Sequence, residues 1–145
     1  MAENKTKNNE EQINSTKKEI KNTQESINAE TENINNLQSE IEVLEGLKTR
    51  LKNEKEEIKS QKKQLENRYA TATEWRGDQY NGFLGQISIL QSEYESAYNR
   101  ADALLDSICD EITRRKNDIN SSEGILGWLK SKMNDLANTL ETLTN

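Results

Sequence analysis

Isoleucine returns every seventh residue at Ile13, Ile20, Ile27, Ile34 and Ile41, and Leu37, Leu44, Leu51, Ile58, Leu65 and Ala72 carry the same interval onward. A seven-residue apolar repeat brings each repeat back to one stripe of a helix, which is the pattern of helices that pair side by side. The first set occupies heptad position a and the second position d of one register. The remaining seam sites hold Thr16, Thr23 and Glu30 early, then Lys48, Lys55 and Lys62, so the stripe is thin. Such a helix, about 60 residues and roughly 90 Å long, is marginal until a partner helix covers it.

A second stretch has the same length and a denser stripe. Leu84, Ile87, Tyr94, Tyr98, Ala101, Leu105, Ile108, Ile112, Ile119, Leu126, Leu129, Met133, Leu136, Leu140 and Leu143 follow steps of three and four, with Gln91, Arg115 and Ser122 as polar exceptions. Between the stretches, residues 74–85 concentrate three of the six glycines in a chain that has no proline. Gly77 is suited to a left-handed turn residue and Asp78 to capping the helix that follows.

The expected fold is all-α, a long antiparallel helical hairpin that resembles a coiled coil. Helix one is expected over about 12–73, the turn over about 74–78 and helix two over about 79–143, all within a single domain spanning 12–145. Residues 1–11 lack an apolar anchor and are expected to form a flexible arm. The heptad register runs through the glycines at 124 and 127, which suggests a kink or local weakness rather than a full reversal; the alternative is a break near Gly124 that would give three helices. Folding at the turn sets Ile58 near Tyr98, Leu51 near Leu105, Ile27 near Leu129, Ile20 near Leu136 and Ile13 near Leu143.

Beside the seam of helix two runs a second apolar line, Phe83, Leu90, Ala97, Leu104 and Ile125, with Trp128 close to it. One reading has these residues shielding the hairpin's own seam, because core-facing helices carry about three apolar positions per heptad. The other makes them a docking surface for another helical chain, since two helices cannot cover both lines.

Composition narrows the function classes. Hydrophobic residues make up 31% and charged residues 32%, with a mean hydropathy of -1.07, so a thick globular core is not expected. A net charge of -6, with lysines interleaved among glutamates as at Lys55, Glu56, Glu57 and Lys59, argues against nucleic acid as a partner. No apolar run is long enough for a membrane span or a secretory signal. The chain has no histidine, which removes the commonest general base and metal ligand. No catalytic, cofactor or metal residues are expected; carboxylates such as Glu40, Glu42 and Glu45 read as a solvated face, and the glycines do not form a phosphate loop. Cys109, the single cysteine, reads as a small hydrophobe.

The most compact motif is Trp75-Arg76-Gly77 followed by Phe83, with a long helix on each side. In this the chain resembles the WXG superfamily of helical-hairpin proteins handled by type VII secretion systems. Being longer than its usual members, it looks most like the small helical partner proteins of LXG-type toxins. The resemblance implies a targeting or chaperone role through heterodimerisation with the helical N-terminal region of a toxin or with another WXG-like protein. It also implies a cytoplasmic stage before export, without a cleaved signal peptide. Tyr98 and Asp102 fit the letters of the superfamily's Tyr-x-x-x-Asp/Glu export signal but fall inside the heptad pattern. The reading from another class is a structural coiled-coil homodimer or scaffold in which the turn motif is incidental.

Overall fold

The computed structural model describes residues 2–71 and 77–145, and only the backbone at 70, 71, 78 and 79. Two helices account for nearly all of it: α1 over Ala2–Thr71 and α2 over Asp78–Thr144. They pack against each other as a helical hairpin, and no strand is found among the described residues.

The covered positions of α1 follow the heptad without a slip. Every a and d residue from Ile13 to Leu65 is buried or half-buried, including Thr16, Thr23, Glu30, Lys48, Lys55 and Lys62. Ile34 and Ile41 are among the most buried on this side. In α2 the covered line is the three-four series from Leu84 to Leu143, with Ile87, Ile108, Ile112 and Leu129 the most enclosed. No large side chain is fully buried among the described residues, as expected when each helix has one neighbour to lie against.

Two compact units divide the hairpin. The first joins Met1–Ile41 with Arg114–Asn145, and the second is the continuous stretch Glu42–Thr113. Within the first, Arg115 Nε donates to Glu40 Oε2 at 2.7 Å, Asn33 Nδ2 to Ser122 Oγ at 3.1 Å, and Asn9 Nδ2 to the Leu143 carbonyl at 3.3 Å. Within the second, Lys55 pairs with Asp102, and Ile58 and Tyr98 line one groove. Both sets agree with the antiparallel register expected from equal helix lengths.

The boundaries differ from expectation at the start of each helix, and the possible break near Gly124 is not present. Helix α1 starts at Ala2, well ahead of residue 12. Adding a residue to an existing helix avoids the nucleation cost, so Ala, Glu and Lys continue it without an apolar stripe. Thr6 Oγ1 donates to the Ala2 carbonyl at 2.9 Å, and Asn9 ties this turn to Leu143. Helix α2 continues through Gly124 and Gly127 with no break, because exposed glycines weaken a helix by only about 1 kcal/mol each and the seam on their other side is intact. Asp78 is the first helical residue, and the capping position falls on Gly77, whose carbonyl accepts the first bond from Asn81 N–H at 3.1 Å. Gly77 has φ of 83°, the one positive φ among the described residues and a conformation that other L-residues adopt at a cost. Trp75, Arg76, Glu74 and Ala72 lie outside the described residues.

Hydroxyl side chains do not interrupt the helices, because they bond back to the preceding turn. Thr16, Ser39, Thr49, Ser107 and Thr139 each donate to the carbonyl four residues earlier. This lets buried Thr16 occupy a seam site with its polar atom satisfied.

Candidate partner interface

Position g of the heptad, one residue before each a, flanks the seam and decides whether a face is left uncovered. On α2 this position holds Phe83, Leu90, Ala97, Leu104, Glu111, Asp118, Ile125, Lys132 and Thr139. Phe83 and Ala97 are half-buried, which accords with shielding of the seam. Leu90 is 41% exposed and Leu104 is 51% exposed, so the same line also faces solvent.

Two residues on α1 join it. Val43 at position c and Leu47 at position g are 65% and 40% exposed. In an antiparallel pair the g flanks of both helices fall on one side. The first unit displays that arrangement directly: Glu19 and Ser26, both g residues of α1, line one groove with Trp128 and Lys132 of α2. By the same register, Val43 and Leu47 in the second unit lie on the flank that carries Leu104. Sequence reading missed these two because the thin stripe of α1 drew attention to its a and d series. The signal was present in the c-to-g spacing of Val43 and Leu47.

In the first unit, Ile125 and Trp128 are 47% and 62% exposed. The Lys132 ammonium stands 5.6 Å from the Trp128 ring centroid, within cation–π range, which orients the indole without covering it. In each unit, exposed apolar side chains at g and c positions, set among charged neighbours, have the composition of a protein–protein contact.

The candidate export-motif residues are engaged within the second unit. Tyr98 is a half-buried seam residue, and Lys55 Nζ sits 4.8 Å from its ring centroid while pairing with the Asp102 carboxylate. Hydrogen bonding to Asp102 is the main cause that raises the Lys55 pKa above its ordinary 10.5, with partial burial opposing it. At the turn end of the unit, hydrogen bonding with Tyr69 raises the Tyr80 pKa above its ordinary 10.0. No group of three or more metal-binding side chains occurs among the described residues, and no described helix is long and apolar enough to cross a membrane.

The fold is a helical hairpin in which each unit leaves apolar side chains uncovered. A family model described as YwqH-like matches residues 18–138, and the chain belongs to that family. It is thereby a small helical protein of the toxin-associated kind. No curated protein and no solved structure matches the chain.

Proposed function

We propose that this protein is a non-enzymatic interaction partner of an LXG-type toxin, a WXG-like targeting or chaperone subunit that pairs with the toxin's helical N-terminal region for type VII secretion. The observation that carries this reading is the exposed flank of g and neighbouring c positions: Leu47, Leu90 and Leu104 in one unit, Ile125 and Trp128 in the other. Family membership over residues 18–138 supports the toxin-associated setting. The Trp75-Arg76-Gly77 motif supports kinship with WXG hairpins. The absence of histidine supports a role without catalysis.

An amphipathic helix laid along the flank of the second unit would bury Leu47, Leu90 and Leu104 and add a third helix there. The test is co-purification with the N-terminal region of the cognate toxin. Leu90→Glu with Leu104→Glu is expected to abolish the complex while far-ultraviolet circular dichroism stays unchanged. Full binding by that double variant overturns the reading.

A further inference from the structure

Along the g line of α2, Leu90 and Leu104 lie one heptad on either side of Ala97, so the apolar pattern reads alike in both chain directions about Ala97. Exposed Glu93 and exposed Arg100 stand beside it at neighbouring c positions, one toward each leucine. A pattern of this kind complements itself under a two-fold axis, where residue i of one copy meets residue j of the other and j meets i. With the axis at Ala97, two antiparallel α2 helices set Leu90 of each copy against Leu104 of the other. The small side chain at the crossing lets the helices approach, and Glu93 comes within one residue of level with Arg100 across the axis. The opposite charges are then paired twice by symmetry.

We infer that in the absence of another protein the chain forms a symmetric homodimer through α2, centred on Ala97, with Leu90, Leu104, Glu93 and Arg100 as its contacts. The contact spans about two heptads, smaller than a permanent interface, so the dimer is transient and concentration-dependent. It rests on the flank being an interface and not on the identity of the toxin, whose helix would displace the second copy from the same leucines.

The experiment uses the purified full chain alone. Sedimentation velocity from roughly 1 to 200 μM is expected to show a reversible monomer–dimer equilibrium in the range of weak, transient contacts. Glu93→Arg or Arg100→Glu each should weaken it roughly tenfold, as expected for like charges held side by side. Mixing the two single variants should restore it, because each then carries the charge that the other lacks. With Cys109→Ser as background, Ala97→Cys should form an intermolecular disulfide on mild oxidation. A monomer at every concentration overturns the inference, and so does a dimer that neither couples at Ala97→Cys nor recovers on mixing. Toxin binding by a chain that stays monomeric alone also overturns it, while leaving the proposed function intact.

Discussion

Lys55 joins two residues of the facing helix at once: its ammonium pairs with Asp102 and stands 4.8 Å from the Tyr98 ring centroid. A lysine at a seam position is thus provided with an anion and a π face, and the letters of an export signal are used to close the hairpin. The Lys55 pKa is raised, chiefly by hydrogen bonding to Asp102. A raised lysine pKa means stability fully present below the unfolded value of 10.5 and lost as pH rises through the folded value. The melting-temperature gap between the parent protein and Asp102→Asn should therefore hold from neutral pH up to 10.5 and close above it, as measured by circular dichroism. Tyr80, raised by Tyr69, adds a loss of the same sign above its ordinary 10.0 in both proteins. A gap that widens with alkalinity contradicts the assignment.

Glu30 occupies a d position and its Oε2 is buried with no hydrogen-bond partner in the structure. An unsatisfied buried acceptor costs on the order of 1–3 kcal/mol. Glu30→Leu is expected to stabilise the hairpin by about 1–2 kcal/mol, because it removes that cost and supplies the apolar residue its heptad lacks. Urea denaturation at neutral pH measures it.

Seam and flank should separate cleanly by substitution. Ile112 is 6% exposed and Leu104 is 51% exposed. Ile112→Ala is expected to cost about 2–4 kcal/mol, whereas Leu104→Ala, measured at a concentration where the chain is monomeric, should stay within about 0.5 kcal/mol of the parent. Similar losses from both would place Leu104 in the core.

The glycines of α2 test the continuity of that helix. At Gly124 and Gly127 an added Cβ meets nothing within 4 Å, and neither has a positive φ. Ala at both sites should raise stability by about 1 kcal/mol each. The opposite sign is expected for Gly77→Ala, by about 1 kcal/mol, because φ there is 83°. Thermal melts of the three variants decide it.

Much of the fold was legible because periodicity is a local property. The interval of seven from Ile13 to Leu65 marked the covered stripe of α1 residue by residue, and equal stretch lengths about Gly77 implied the antiparallel register. The line Phe83, Leu90, Ala97 and Leu104 was visible for the same reason. The start of α1 was not, since nothing before Ile13 marks a stripe and the Asn9 tie comes from residues at the far end of the chain.

The sequence by itself determined two helices, their seam positions and the sense of their pairing, because each follows from spacing along one chain. Only the tertiary structure decided how the polar seam sites are satisfied: Lys55 by Asp102 and Tyr98, Arg115 by Glu40, Ser122 by Asn33. It also decided that Val43 and Leu47 remain exposed. The physical reason is that a side chain's partner depends on the axial level and flank of the opposite helix. A heptad read on one strand specifies neither until the two are packed.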